Sequence, residues 1–342
     1  MAAVTQVGVD IGSTSIRAVE ATQGKDERPL ISNFGQAMLP EGAVVGGVVK
    51  DDHAVTNALR NLWTTQKFAS RSVILGVSHQ QVIVRSVDLP NLSRKEMRQA
   101  LPFQVRDILP LPVEQAVLDF YPLEDPGKKD TVHGLVIAAP KEPVLNMVQA
   151  VERAGLYVAQ VDLSCFAALR ASAHLAEDTE AVLDIGANGT NIIIHTDGVP
   201  QIVRTIPRGG AEVTDLIAKR LGVSHAEAET LKCHVGLLHT DGSESSDVVA
   251  EALRPLVNEI RSSLNYYRAG DPSKRVKRLA LVGGSALLPG LSGQLTDQLG
   301  LPTFLADPLQ RVSDTRSDGG GDVLGRLRSS AAVAIGLTLG AA

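Results

Sequence analysis

The stretch VGVDIGSTSIRAVEA, residues 7–21, combines the signature of a β-hairpin with the residue types of an anion-binding turn. Alternating apolar residues from Val7 to Ile11 predict a strand, and the alternation resumes at Ile16. The tight turn between them, residues 12–15, carries a glycine and three hydroxyl residues. Asp, Gly and Ser occur in many ordinary turns, so this stretch alone leaves turn chemistry and ligand binding equally open.

A second copy of the same pattern lies in the second half of the chain. Residues 181–194 read AVLDIGANGTNIII, in which Asp184 matches Asp10 and Gly186 matches Gly12. One acidic turn could be accidental, but two at matching places indicate a duplicated unit. The repeat therefore favours a shared function for the two turns over coincidence.

The residue types of both turns suit a phosphate group. Backbone N–H groups of a tight Gly/Ser turn form a concave nest for phosphate oxygens, and hydroxyl groups add donors. Asp10 and Asp184 are candidate ligands of Mg²⁺, through water, because Mg²⁺ gives up its hydration shell reluctantly. We predict that the turns face each other across a cleft. The candidate binding residues are Asp10, Gly12, Ser13, Thr14 and Ser15 in the first half, and Asp184, Gly186, Asn188, Gly189, Thr190, Asn191, Gly209 and Gly210 in the second.

A third glycine element lies near the end of the chain. Residues 278–291, RLALVGGSALLPGL, predict a short strand that ends at Gly283, Gly284 and Ser285 and is followed by a helix. Glycines after a parallel strand let a ligand approach the backbone closely. Alone, this element is more typical of an ordinary strand-to-helix turn than of a ligand site. The sequence contains no Gly-Lys-Ser/Thr, so it has no P-loop.

The composition of the chain bounds its size class, its partners and its cellular compartment. The 342 residues are 44% hydrophobic, which suits two domains or one duplicated unit. The formal net charge is -5 and the basic residues are scattered, so nucleic acid is not an expected partner. The two cysteines lie far apart, which fits a reducing cytoplasm. The longest apolar stretch, residues 331–342, is too short to span a bilayer.

Residues 91–158 predict a compact α-β-β-α unit inside the first half. Ser93 and Glu96 form a capping box that starts its first helix, and Gly155 ends its second. The unit carries no catalytic signature, which favours a role in binding a partner. The simpler alternative is an insertion with no function of its own.

Together, these motifs resemble the actin-like ATPase superfamily. The turns at 10–15 and 184–190 look like its two phosphate motifs, and residues 281–285 look like its adenosine motif. Residues 162–171 and 331–339 resemble its two connecting helices, packed by small residues. The resemblance implies an α/β, actin-like (ribonuclease H-like, duplicated) two-domain fold with a small α+β subdomain inserted in the first domain. It also implies five segments: first domain 1–90, inserted subdomain 91–158, connecting helix 159–180, second domain 181–328, and second connecting helix 329–342.

Within the superfamily, the chain is similar to the PilM group of type IV pilus assembly proteins. The similar stretches are DIGSTSIRAVE, SVILGVSHQQVIVRSVDLP at 72–90, SRKEMRQALPFQVRDILP, AGLYVAQVD at 154–162, AEAETLK at 226–232 and VGGSALLPGL at 282–291. The resemblance implies ATP and Mg²⁺ as ligands, and a scaffold role at the inner face of the cytoplasmic membrane. The implied partner is the short cytoplasmic N-terminal segment of a PilN-like membrane protein. The alternatives are an FtsA-like cell-division protein and a small-molecule kinase of the same superfamily.

The resemblance also assigns roles to individual side chains. Arg17 stands where actin-like proteins usually place a lysine that reaches phosphate oxygens, although a solvated strand residue is the plain alternative. Glu229 and Lys232 would border the adenine and ribose, or form an ordinary helix ion pair. The water-orienting residue of the superfamily falls near Ser164, and serine is a poor base. We therefore expect ATP binding with slow hydrolysis at most.

Overall fold

The computed structural model describes residues 4–23, 28–125, 127, 130–176, 178–238, 244–270, 274–314 and 323–340. Its strands are β1 Val4–Ile11, β2 Ser15–Gln23, β3 Leu30–Met38, β4 Val44–Val45, β5 Val48–Val49, β6 Ser72–Val77, β7 Ile83–Pro90, β8 Ala116–Pro122, β9 Thr131–Pro140, β10 Tyr157–Leu163, β11 Thr179–Ile185, β12 Thr190–Thr196, β13 Val199–Ile206, β14 Arg278–Val282, β15 Thr303–Leu305 and β16 Ser313–Asp314. Its α-helices are α1 Asp52–Gln66, α2 Arg94–Gln104, α3 Lys141–Arg153, α4 Ser164–Ser172, α5 Gly210–Leu221, α6 His225–Val235, α7 Glu244–Gly270, α8 Leu291–Leu299, α9 Val323–Leu327 and α10 Ala332–Thr338.

Two sheets that share the order of five strands form the body of the molecule, and the first has one additional strand, β16. The first sheet has the order β10-β6-β1-β2-β3-β16, and the second has the order β13-β12-β11-β14-β15. In both, the opening strand pairs antiparallel with the next strand of the chain and parallel with a later one, β6 in the first sheet and β14 in the second. The duplication predicted from the two turns is therefore confirmed at the level of strand order.

The central strands of each sheet are buried inside their half of the molecule. Val7, Val9 and Leu75 in the first sheet are inaccessible to solvent, as are Leu183 and Leu281 in the second. Parallel strands covered on both faces need apolar residues on both sides of the chain. Two large apolar clusters result. One is built on the first sheet and extends to Val182 and Ile193 on one face of the second sheet, and the other lies on the opposite face of the second sheet.

The connecting helices α4 and α10 cross between the halves through small residues. A Cβ atom on Gly336 would lie 1.8 Å from the carbonyl oxygen of Ala167, so the backbones touch at this point. Gly8 of β1 is equally confined, because its Cβ would lie 2.4 Å from the carbonyl oxygen of Ala334. The small residues noted in the sequence thus allow the close crossing.

The first connecting helix begins later than the sequence-based division places it. Residues 157–163 form strand β10, which pairs parallel with β6, and the helix starts only at Ser164. The side chains of β10 alternate between exposed and half-buried, the pattern of an edge strand. The segment drawn as a helix from residue 159 is therefore a strand up to residue 163.

The inserted unit contains one more strand than the sequence predicts. Strand β7 pairs antiparallel with β9 along its whole length, from Ile83 opposite Ala138 to Pro90 opposite Thr131. The resulting sheet has the order β7-β9-β8, and α2 packs on it through Met97 and Leu101. The structure thus differs from the division at residue 90, since β7 belongs to the inserted sheet and not to the sheet of the first half.

The chain also returns to the first half earlier than residue 329. Strand β16 pairs parallel with β3, with Ser313 opposite Leu30. Val312 and Leu324 pack in one apolar cluster with Ile31 of the first sheet. The sequence-based division missed this return because a two-residue strand has no periodicity to detect.

Candidate functional site

The two predicted turns have closely related geometry. The N–H of Gly12 donates to the carbonyl oxygen of Ser15 at 3.0 Å, and the N–H of Gly186 donates to the carbonyl oxygen of Gly189 at 2.9 Å. Each turn follows a strand whose penultimate residue is the aspartate, Asp10 in β1 or Asp184 in β11. The carboxylates therefore lie at equivalent positions at the ends of the two central strands.

Both turns open onto one cleft of about 660 Å³ between the halves. This volume lies within the usual range of small-molecule sites. The predicted residues that line it are Asp10, Gly12, Ser13, Thr14, Arg17, Asp184, Gly186, Asn188, Gly189, Asn191, Gly210, Glu229, Lys232, Gly283, Gly284 and Ser285.

Three predicted residues do not line the cleft. Ser15 is buried beneath the first turn. The hydroxyl of Thr190 donates to the carbonyl oxygen of Arg208 at 2.8 Å, which fixes the end of β13. Gly209 packs on the second turn, because a Cβ there would lie 2.3 Å from the carbonyl oxygen of Gly186. These residues support the turns from behind.

The third glycine element contacts the second turn directly. Ser285 donates its hydroxyl proton to the carbonyl oxygen of Gly186 at 2.9 Å. Gly283 has a φ of +92°, and a Cβ on it would lie 2.7 Å from Oδ1 of Asp184. Glycine is needed here for both its backbone conformation and its lack of a side chain. The strand-to-helix turn after β14 thereby completes the floor of the cleft.

The two carboxylates face a common, mostly buried space. Burial raises the pKa of Asp10 to about 6, against the opposing effect of Arg17, and Asp184 raises it further. Burial also raises the pKa of Asp184, although the Asn191 amide donates to it at 3.3 Å. Two carboxylates beside a turn rich in glycine and hydroxyl groups suit a hydrated Mg²⁺, which keeps several waters and needs few protein ligands. The donor set therefore fits the predicted metal.

We expect the substitution Asp10→Asn to stabilise the ligand-free protein near neutral pH. The folded-state pKa of Asp10 lies above its unfolded value, so the free energy of unfolding falls as pH rises from about 4 through 6. Above pH 6 the ionised Asp10 carboxylate therefore lowers the free energy of unfolding by at most about 3 kcal/mol. An asparagine amide stays neutral and does not carry this cost. Thermal unfolding at pH 5 and pH 8 tests this prediction. An equal melting temperature for both proteins at pH 8 would contradict it.

Glu229 and Lys232 form an internal network at the edge of the cleft. Lys232 Nζ donates to Glu229 at 2.6 Å, to the Thr214 hydroxyl at 2.9 Å and to the carbonyl oxygen of Gly210 at 3.2 Å. Burial raises the pKa of Glu229, but the hydrogen bonds from Lys232 and Thr214 outweigh it and leave the pKa below its usual value. The network fastens α6 to the start of α5. A nucleotide role for the pair stays a prediction.

The position expected to orient a hydrolytic water carries a buried serine. Ser164 lies at the first position of α4 and lines the cleft. The nearby carboxylate of Asp162 binds Arg170 and accepts the N–H of Leu163 at 2.7 Å, and it is not among the cleft residues. Neither arrangement places a strong base at the cleft.

Sequence reasoning missed one wall of the cleft. Gly46 and Gly47 connect β4 and β5 and pack on the loop from Ser78 to Gln80, and both segments line the cleft. Gly47 has a φ of +81°, and a Cβ on it would lie 1.6 Å from the carbonyl oxygen of Ser78. The stretch VVGGVV carries the Gly-Gly signal of a two-residue hairpin, which was sufficient to find it. The missed lining also includes the apolar residues Leu253, Leu256, Leu288 and Leu291.

The paired sheets, the crossing helices and the cleft between two acidic turns define an actin-like two-domain protein. A family model described as "Type IV pilus assembly protein PilM" matches residues 8–342. The chain belongs to this family.

Two solved structures and one curated relative illustrate what this chain is similar to over most of its length. One chain of a "PilM-PilN type IV pilus biogenesis complex" matches with a TM-score of 0.88 and 28% identity, covering 98% of both chains. MreB5 of Spiroplasma citri bound to AMPPNP matches with a TM-score of 0.55 and 15% identity, covering 98% of this chain and 95% of that one, which shows a shared fold. The cell division protein FtsA of Bacillus subtilis is 24% identical over 88% of this chain and 78% of its own length. A sequence identity this low does not favour the FtsA-like alternative.

Among the residues that the structure describes, no helix is both long and apolar enough to cross a membrane.

Proposed function

We propose that this chain is an ATP-binding scaffold of type IV pilus assembly that docks the short cytoplasmic N-terminal segment of a PilN-like inner-membrane protein. The observation that carries the proposal is the match to a PilM–PilN complex over 98% of both chains. In this proposal the chain itself lies in the cytoplasm and reaches the membrane through its partner.

The nucleotide half of the proposal is supported by the cleft. The N–H groups of the two turns and the Arg17 guanidinium would bind the phosphate oxygens. Asp10 and Asp184 would hold Mg²⁺ through its waters, and the metal would neutralise phosphate charge. The apolar end near Leu288 would take the adenine. Binding to both halves at once would favour the closed arrangement, a population shift that needs no hydrolysis.

The docking half is supported by two edge strands with exposed apolar side chains. Strand β8 of the inserted sheet exposes Val117 and Tyr121, and strand β10 of the first sheet exposes Tyr157 and Val161. The ring of Tyr121 lies 5.8 Å from that of Phe166 in α4, which directly follows β10. An extended peptide could pair with such an edge and place alternate side chains on this surface. This junction of β8, β10 and α4 is the proposed docking surface.

Charged substitutions on this surface test the docking half. We expect Tyr121→Glu to reduce capture of the PilN-like protein from solubilised membranes at least tenfold, because it places a buried charge beneath the bound peptide. The matched control is Tyr266→Glu, since Tyr266 is exposed on α7 in the second half. Both variants should bind ATP like the unmodified chain. Undiminished capture by a folded Tyr121→Glu variant would contradict the proposed surface.

A further inference from the structure

One side of helix α2 lies open to solvent on the outside of the inserted unit. Its other side packs on the inserted sheet through Met97 and Leu101. The side chain of Phe103 is 81% exposed, more than any other large hydrophobic side chain that the structure describes. Leu92, which directly precedes the N-cap Ser93, is exposed as well. The helix thus presents an apolar side chain to solvent near each of its ends.

Uncompensated positive charge accompanies these apolar side chains. Residues 94–106 contain four cations and one carboxylate, although the whole chain has a formal net charge of -5. The carboxylate belongs to Glu96, which accepts the Ser93 N–H at 3.0 Å and so caps the helix. All four cations are exposed, and within the described part of the chain none of them forms an ion pair. They are Arg94, Lys95, Arg98 and Arg106.

The arrangement of charge and ring on α2 suits the surface of an anionic bilayer. At about 100° per residue, Lys95 and Arg98 lie on one flank of the helix, between its buried side and Phe103. Helices that lie in a membrane interface combine an aromatic or aliphatic side chain with flanking Lys and Arg. The long basic side chains can reach lipid phosphates while the ring enters the boundary of the acyl chains. The cytoplasmic leaflet supplies the anionic lipids that attract such clusters.

Nucleic acid suits this surface less well. A single strand is bound in a groove that follows its backbone, with aromatic side chains that stack on successive bases. Helix α2 is convex, because it packs on the outside of a sheet, and it exposes a single aromatic ring. The surface therefore favours lipid over a nucleic acid strand.

The position of α2 agrees with a membrane contact. It lies over β8, the edge strand that contributes to the proposed docking surface. A membrane protein's segment docked at that edge would hold the inserted unit close to the bilayer. A single interfacial contact gives only weak, reversible membrane binding, and stable anchoring takes two.

We propose that the exposed side of α2 binds anionic phospholipid at the surface of the cytoplasmic membrane. Phe103 enters the lipid, and the four cations bind the phosphate groups around it. This contact goes beyond the proposed function, in which the chain reaches the membrane only through its partner.

Vesicle sedimentation of the full chain, without partner protein or nucleotide, tests this contact. The probe is phosphatidylcholine vesicles with about 30% phosphatidylglycerol at about 1 mM lipid, enough to bind an anchor of single-acyl strength. We expect the unmodified chain to sediment with these vesicles and not with pure phosphatidylcholine. Raising the ionic strength from about 0.05 M to about 0.5 M should release it, because salt screens exposed charges.

Two variants of α2 separate the contribution of the ring from that of the charges. Phe103→Ser should weaken binding at least about threefold, because it removes the apolar side chain that enters the lipid. Arg98→Glu combined with Arg106→Glu should weaken it at least about tenfold. Both changes fall on exposed side chains, so the variants should fold like the unmodified chain.

Matched controls lie on α7 in the second half. Tyr266→Ser removes a similarly exposed ring, and Arg254→Glu combined with Arg268→Glu makes the same change in net charge at exposed positions. Both controls should sediment like the unmodified chain. Equal sedimentation with the two kinds of vesicle, or α2 variants that bind like the controls, would overturn the inference.

Two further results would assign the surface to another occupant. Equal binding of a short DNA duplex by the unmodified and Phe103→Ser chains, with no effect of Phe103→Ser on vesicle binding, would make it a general polyanion site. Self-association without vesicles that the α2 variants abolish would make it a contact between copies of the chain. Either result would overturn the lipid contact, and neither bears on the proposed function, since the assay contains no partner and no nucleotide.

Discussion

Replacing Gly336 by alanine should lower the free energy of unfolding by about 3 kcal/mol or more. The new Cβ would lie 1.8 Å from the carbonyl oxygen of Ala167 and 2.4 Å from the carbonyl carbon of the same residue, so backbone must move. Both helices at this crossing are buried, and neither has a flexible side chain at the contact that could yield. Urea unfolding followed by circular dichroism measures the effect.

Gly293→Ala is the matched control for this change. Gly293 also lies in a helix, α8, but a Cβ there would meet no atom within 4 Å. Alanine in a helix is favoured over glycine by roughly 0.5–1 kcal/mol, so this variant should be as stable as the unmodified chain or slightly more. If Gly336→Ala behaved like Gly293→Ala, the close crossing of α4 and α10 would be wrong.

Replacing Asp10 or Asp184 by alanine should weaken Mg-ATP binding at least tenfold, about 1.4 kcal/mol in binding free energy. Each change removes one of two carboxylates that would hold the hydrated metal in the cleft. Because both aspartates have raised pKa values, the loss should come without a loss of folding stability in the ligand-free protein. Isothermal titration calorimetry measures the affinity.

Asp52→Ala is the control, since Asp52 pairs with Arg153 at 2.6 Å on the outside of the first half. Its removal should leave the affinity for Mg-ATP unchanged. Unchanged affinity in both the Asp10 and Asp184 variants would defeat the assignment of the two turns as a phosphate site.

The sequence predicted the elements whose chemistry is local. The two hairpins, the turn after β14 and the capping box at Ser93 depend on residues a few positions apart, and the structure contains them. The repeat of one short motif then predicted the repeat of a whole sheet. The resemblance to the actin-like superfamily implied that small residues pack α4 and α10 where they cross, and the contact between Gly336 and Ala167 confirms it.

Long-range pairing could not be predicted in this way. Nothing local in residues 83–90 distinguishes pairing with β9 from pairing with the first sheet, because alternation specifies a strand and not its neighbour. The sequence-based division places part of strand β10 in a helix because the pairing of β10 with β6 is equally distant in sequence. The hydrogen bonds that Lys232 donates to Thr214 and Gly210 could not be predicted either, because these residues lie in α5 and the sequence pattern considered only α6.

The most direct test of the account is the affinity of the chain for a PilN-type peptide with and without ATP. A fluorescently labelled peptide of the cytoplasmic N-terminal segment of the PilN-like protein is titrated with the full chain, and anisotropy reports binding. We expect saturable binding in the presence of Mg-ATP and at least about threefold weaker binding without nucleotide, a shift of the size that modest allosteric coupling produces. Absence of binding in both conditions, with the chain folded and nucleotide bound, would contradict the scaffold function.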